Sequence, residues 1–219
     1  MTCLQAGRPC RLGEAVKQLR KEVNTLAELV NIDELTGLYN FRHFSKVIEV
    51  EMERSRRSGK PVSLLILDLD NFKRLNDKYG HDFGNQALAA LGSFLQQVLR
   101  KPDVPCRFGG EEFTVILPDT TLEEAVGLAQ RLRAGIAAIG LNKEGQPVSM
   151  SASFGVADFH ADSQETWQQF VQRTDGYLLE AKSQGKNCVR HPDLTEEQGL
   201  SSDEREALHF DDEEGSLPA

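Results

Sequence analysis

Two short acidic segments stand out in this chain of 219 residues. In LLILDLDNFKRLND, residues 64–77, an apolar run delivers Asp68 and Asp70 at its C-terminal end. The two-residue period of a strand sends both side chains to one face. Carboxylates placed directly after such a run are costly unless something pairs them. Mg2+ suits the role, since it takes oxygen ligands and keeps substrate phosphates close. Lys73 follows as a point cation within reach of a phosphate. In CRFGGEEFTVIL, residues 106–117, Gly109 and Gly110 permit a tight turn and close approach of backbone to a ligand. Glu111 and Glu112 sit at that turn, and a strand starts at Phe113. A charge-rich solvated turn explains either segment alone. Two of them, each joined to an apolar strand, point to one shared site.

The elements that must position these groups can be read around them. Asn40 can cap a helix running to about Arg57, which SGKP ends after a basic last turn. Val62 to Leu67 is a continuous apolar run of buried-strand type. Asn85 to Arg100 reads as a helix with Asn85 as its cap, and Phe113 to Leu117 as a second buried strand. Thr121 with Glu124 forms a capping box for a helix through Ala138. Ser149 to Phe159 reads as a third strand and Trp167 to Ser183 as a further helix. A sheet covered by helices implies an α+β fold with a split βαβ core over residues 31–190. Ahead of it, Leu12, Val16, Leu19, Val23, Leu26 and Val30 repeat at spacings of four and three. Val at a and Leu at d favour a parallel two-stranded coiled coil, so residues 11–30 are expected to be a helical stalk. An amphipathic helix packed on its own domain is the alternative. Residues 1–10 read as a disordered lead and 191–219 as a disordered acidic tail.

The net charge of -9 belongs to that tail. Residues 191–219 hold ten of the 34 acidic residues and one of the 25 basic ones, leaving 24 of each in the rest. A balanced domain offers no basic face for nucleic acid. No stretch approaches the roughly 20 apolar residues of a membrane span, and the start carries no apolar core of a secretory signal. Four scattered cysteines without a CxxC pair suit a reduced, cytoplasmic chain.

RFGGEEF at 107–113 resembles the signature turn of GGDEF domains, the diguanylate cyclase family. DELTGLYN at 33–40, DLDNFKRLND at 68–77, GHDFGN at 80–85, SASFGVA at 151–157 and DGYLLEAKSQGKN at 175–187 match its other blocks in order and spacing. The resemblance implies a palm-like sheet, ferredoxin-like at its core, and condensation of two GTP into cyclic di-GMP. It implies two Mg2+ (or Mn2+) ions per active site, held by Asp68, Glu111, Glu112 and the Leu69 carbonyl, with Glu111 as general base. One ion activates the attacking oxygen and the other steadies the leaving pyrophosphate. Backbone N–H groups at Asn71 and Phe72, with Lys73, Lys182 and Lys186, would hold the triphosphate. Lys186 stands where Arg is commoner in the family, keeping the charge but losing the bidentate fork.

The family reads guanine with an Asn, which falls on Asn76, and an Asp, which falls on Asn85. A carboxylate accepts from two guanine donors, whereas an amide offers one acceptor and one donor group. Leaving one buried donor unpaired costs roughly 1–3 kcal/mol, enough to relax selectivity. Asn at this place also serves as a helix cap, about as well as Asp. Arg100 and Asp103, spaced RxxD, resemble the family's product-inhibition site, with Arg131 or Arg133 as a second contact. The implied assembly is a homodimer through the stalk, since two sites must face each other, with a regulatory protein as a further stalk partner. A non-catalytic receptor for cyclic di-GMP and a mixed cyclic dinucleotide synthase are the alternatives.

Overall fold

The computed structural model describes residues 31–194 together with Glu14, residues 16–20 and Glu22. Strand β1 spans Tyr39–Asn40 and is followed by α1, Phe41–Ser58. Then come β2 (Val62–Leu69), α2 (Phe72–Tyr79), α3 (His81–Val98), β3 (Val104–Gly109), β4 (Glu112–Pro118) and α4 (Leu122–Ala137). The chain closes with β5 (Leu141–Lys143), β6 (Gln146–Val148), β7 (Ala152–Phe159), α5 (Trp167–Ser183) and β8 (Val189–Arg190).

Six strands form one sheet in the order β1-β3-β4-β2-β7-β8, while β5 and β6 form a separate hairpin. Neighbouring strands among β3, β4, β2 and β7 are antiparallel, while the edge strands β1 and β8 each pair in parallel with their neighbour. Strand, helices, two strands, helix, strand is the split βαβ arrangement. β2 and β7 are buried along their whole length, as strands covered on both faces must be.

Alternation sorts β2 between two cores. Leu65, Leu67 and Leu69 pack with α3 and α4. Val62, Leu64 and Ile66 pack with α1 and α5. The even row continues into Asp68, so the first acid lies on the α1–α5 side. Helix α5 comes close because β7 carries Gly155, where a Cβ would stand 2.2 Å from the Thr174 carbonyl oxygen. That contact brings the last turn of α5 to the ends of β2 and β4.

Most expected elements are present with shifted ends. Asn40 caps α1, accepting from the His43 amide at 3.2 Å, and the Thr121–Glu124 capping box is formed. One correction concerns Asn85. Helix α3 starts at His81 after Gly80, whose φ of 86° breaks it from α2. Asn85 therefore lies in the second turn, exposed, and caps nothing. The helix ends at Val98, so Arg100 lies beyond it. The third strand begins at Ala152, since residues 149–151 form the approach to it.

Glu14, residues 16–20 and Glu22 are helical, and the Gln18 amide donates to Glu22 at 2.9 Å. Of the expected heptad seam, Val16 and Leu19 are exposed at 43% and 59%. Leu12, Val23, Leu26 and Val30, the lead 1–10 and the tail beyond residue 194 lie outside the described residues. Among the described residues no helix is long and apolar enough to cross a membrane.

Candidate active site

The two acidic segments meet at one end of the sheet. Asp68 and Glu112 are partners in the β2–β4 ladder, and residues directly opposite share a face. Gly110 and Glu111 are the two residues linking β3 to β4, with Gly110 at φ 32°. The Leu69 amide donates to the Glu111 carbonyl at 3.3 Å, fastening the turn to the end of β2. The structure thus sets Glu112 directly across from Asp68, with Glu111 at the tip beside them.

The pair is electrostatically unfavourable without a cation. Asp68 is only 7% exposed. Burial pushes its carboxyl above the usual carboxylate range, the Asp70 charge adds to this, and Lys182 only partly opposes it. Lys182 Nζ lies 3.0 Å from Asp68 Oδ2. Glu112 is raised first by burial and next by the Asp68 charge, with Asp175 and Glu111 adding and Lys182 opposing. Acids held together against their own repulsion are a donor set for a divalent cation. Among the described residues no three His, Cys, Asp or Glu side chains form a ready cage. Mg2+ is usually bound by one or two carboxylates together with substrate phosphates, and Asp68 with Glu112 offers two.

Asp70 has a different task from the one its spacing suggested. It does share the Asp68 face, beside Ser153, the ladder partner of Asp68. Both its oxygens are occupied, however. Ser153 Oγ donates to Oδ1 at 2.6 Å, and Ser151 Oγ and the Asn187 amide donate to Oδ2 at 2.7 and 3.0 Å. Asp70 ties β2, the approach to β7 and the loop after α5 together, so its own oxygens are engaged within the protein.

The other side of the site is built on the start of α2. Asn71 adopts the left-handed region, φ 57°, and its side chain does not cap the helix. The first-turn N–H groups at Phe72 and Lys73 have no intrahelical acceptor, which makes the end of the helix an anion site. Asn71 Oδ1 instead accepts from Lys186 Nζ at 2.7 Å. Lys73 is exposed in the same turn. Behind it, Asn76 Oδ1 is buried without a hydrogen-bond partner. It lies so close over α3 that a Cβ on Gly84 would meet it at 1.8 Å. Asn85 is the next residue. A waiting acceptor beside an exposed amide suits the edge of a base, and removal of the capping role leaves Asn85 free for that reading.

A second constellation lies beyond α3. Arg100 Nε donates to Asp103 at 2.8 Å, and its Nη2 donates to the Pro118 carbonyl at 2.9 Å. Arg100, Asp103, Thr120, Glu124 and Arg131 line a cavity of about 640 Å3. Arg133 points elsewhere and donates to Asn187. The geometry brings Arg131, not Arg133, to the RxxD pair.

Arg107 escaped the reading of the sequence as a functional residue. Its Nη1 donates to both Asp33 oxygens at 3.2 and 3.1 Å. Its Nε and Nη2 donate to the Gly110 carbonyl at 3.1 and 2.8 Å. Burial pushes the Asp33 carboxyl up, but the Thr36 hydroxyl and amide and the Arg107 charge more than reverse this, leaving it lowered. One guanidinium therefore joins the DELTG turn to the Gly109–Gly110 turn. The signal was present, since Arg107 precedes the glycines and Asp33 begins the first block, but their contact spans 74 residues.

Comparison with known proteins agrees with this geometry. The family described as "Diguanylate cyclase, GGDEF domain" matches residues 30–188. The response regulator PleD of Caulobacter vibrioides is 35% identical over 173 residues, covering 78% of this chain and 38% of PleD. Diguanylate cyclase DgcP of Pseudomonas aeruginosa is 41% identical over 155 residues, covering 71% of this chain and 23% of DgcP. The chain thus spans less than half the length of these relatives. The structure of diguanylate cyclase SiaD of Pseudomonas aeruginosa with its activator SiaC superposes with a TM-score of 0.72 at 34% identity. That match covers 83% of this chain and 69% of SiaD.

Proposed function

The chain belongs to the GGDEF-domain family, and on that premise we propose that it condenses two GTP molecules into cyclic di-GMP, releasing two pyrophosphates. The observation that carries this reading is the Asp68–Glu112 pair, a buried carboxylate across from a half-buried one that its charge raises, beside the uncapped start of α2.

Asp68, Glu112, Glu111 and the Leu69 carbonyl would hold two Mg2+ ions. Bound there, the ions would supply charge neutralisation at the attacking and leaving oxygens. The chain's own groups do the rest. Amides at Phe72 and Lys73 receive phosphate oxygens, and Lys73, Lys182 and Lys186 add positive charge around them. Lys182 turns from Asp68 to the phosphates when the acids gain cations. Glu111, at the tip of the turn, is placed to take the proton of the 3′-hydroxyl. Positioning and charge stabilisation supply most of the rate in phosphoryl transfer. Asn76 Oδ1 accepts from the base, and Asn85 reads its edge. An amide at that place relaxes selectivity for guanine and admits adenine.

Each domain holds one nucleotide, so ring closure needs two facing domains. The stalk expected over residues 11–30 would pair the chains, and the exposed Val16 and Leu19 would belong to its seam. It is also the surface that a regulatory protein would grip. The cavity of Arg100, Asp103 and Arg131 takes a guanine of the product and acts as a brake, since Arg reads O6 and N7 while Asp takes the donors.

Product masses from GTP alone, ATP alone and an equal mixture, each with Mg2+, test this reading. Cyclic di-GMP from GTP is expected, with a mixed guanine–adenine product from the mixture. GTP-only chemistry in the mixture refutes relaxed selectivity. Binding of cyclic di-GMP without pyrophosphate release refutes the enzyme and leaves a receptor.

A further inference from the structure

Residues 185–187, between α5 and β8, have an unusual backbone. Gly185, Lys186 and Asn187 follow one another at φ 109°, 66° and 47°. Asn tolerates the left-handed region and Gly occupies it freely, but Lys does not favour it. Such a run persists only where its surroundings fix it. Three ties come from the site itself or from α5. The Lys186 amide donates to the Ala181 carbonyl at 3.0 Å, the Asn187 amide donates to Asp70 at 3.0 Å, and Lys186 Nζ reaches Asn71 Oδ1 at 2.7 Å. The fourth comes from α4. Arg133 Nη1 donates to both the carbonyl and the side-chain oxygen of Asn187, each at 3.2 Å. Its guanidinium is held in turn by Gln130, which accepts from Nε at 3.1 Å.

We propose that Arg133 is a positioning residue for the triphosphate, acting through Asn187 on Lys186. The inference rests on the reading of this site as a GTP site. The Lys186 ammonium now lies on the residue that opens α2, where the phosphates are to sit. To turn from Asn71 onto a phosphate it needs only a change of side-chain angles, provided the loop stays in place. Asp70 holds the loop by one amide. Arg133 holds the next two acceptors from the opposite side, which fixes the direction in which Lys186 leaves the backbone. Without Arg133 the loop can relax from its left-handed conformation and carry the ammonium away from α2.

The test is a double-mutant cycle on the full chain, following pyrophosphate release with GTP and Mg2+ for wild type, Arg133→Ala, Lys186→Ala and both together. Arg133→Ala is expected to raise KM for GTP about tenfold, the worth of one charge-assisted contact, with kcat within about twofold of wild type. In the Lys186→Ala background the same change should add less than about twofold, because the group it positions is gone. An unchanged KM, or a double variant showing the product of the two single losses, overturns the proposal. A merely structural role would lower the folded fraction, seen in the melting curve and in kcat, and leave KM alone. If wild type releases no pyrophosphate, the cyclase reading fails. The same cycle read as GTP affinity by calorimetry then decides the role of Arg133 separately.

Discussion

Arg107→Ala separates a structural clamp from a catalytic one. The side chain makes two contacts to Asp33 and two to the Gly110 carbonyl. Arg107 and Asp33 are 19% and 22% exposed, so their pairing is only partly screened. Asp33 keeps the Thr36 amide at 2.9 Å and the Thr36 hydroxyl at 2.7 Å, so its charge is not orphaned. The exposed Gly110 carbonyl regains water. Counting one charge-assisted pair and one further hydrogen bond gives a loss of about 2–3 kcal/mol. For a domain of this size that lowers Tm by about 5–10 °C. Asp33 is held below its ordinary value of 3.8, so its share of the stability is present above that pH and is lost as pH falls through the lower folded value. The difference in Tm between wild type and variant should therefore be steady from neutral pH to about 5 and shrink below about 4. The contacts to Gly110 do not titrate and leave a residue of the difference at all pH values. Because Gly110 directly precedes Glu111, the turn that carries the acids also loosens. At a temperature well below both melting transitions, kcat/KM should fall at least about tenfold, or 1.4 kcal/mol. A variant that melts earlier yet keeps kcat/KM within twofold would show that the clamp serves only folding.

Two further substitutions probe the base and product pockets. Gly84→Ala places a Cβ 1.8 Å from Asn76 Oδ1 and 3.2 Å from Phe72, so Asn76 must leave its position. GTP affinity, read by titration, should fall roughly tenfold or more, while overpacking costs about 1–3 kcal/mol of stability; unchanged GTP affinity would remove Asn76 from base recognition. Arg131→Ala takes away the second cation lining the Arg100–Asp103 cavity, and the apparent inhibition constant for cyclic di-GMP should rise about tenfold. Inhibition that is as strong in this variant as in wild type would place the brake elsewhere.

The strands and long helices were legible because their signals are local. Val62–Leu67 could hardly be anything but a buried strand, and Thr121 with Glu124 announces a helix start within four residues. Helix α3 was misplaced for a local reason as well: Asn85 is a good cap by type, but Gly80 had already turned the chain five residues before it. Helix α2, with exposed Lys73, Arg74, Asp77 and Lys78, has too few buried positions to show a clear apolar stripe. At the site, the identity of the acids was legible and their division of labour was not. Asp68 and Asp70 look alike in DLD. They differ because Ser151, Ser153 and Asn187, all more than 80 residues away, converge on Asp70. Arg131 and Arg133 likewise look alike on one helix, and only the position of the loop at Asn187 tells them apart.

Several groups that oppose folding are gathered at one end of the sheet. Asp68 and Glu112 are both raised by burial, Asp68 further by the Asp70 charge and Glu112 by the Asp68 charge. Asn76 Oδ1 is buried unpaired. Asn71, Lys186 and Asn187 occupy the left-handed region. Each is unfavourable in the free protein. On the proposed reading, cations would neutralise the acids, a base donor would pair with Asn76, and phosphates would take up the lysines and the first amides of α2, while the left-handed loop keeps its shape. Folding is secured elsewhere, by the two leucine- and phenylalanine-rich cores on either face of β2. Local conflict concentrated in this way is what a functional site leaves in an otherwise consistent sequence. It also orders the predictions. Neutralising Asp68 or Glu112 should abolish turnover while raising Tm without Mg2+, whereas cutting Arg107 should lower both function and Tm, and cutting Arg133 should weaken substrate binding alone.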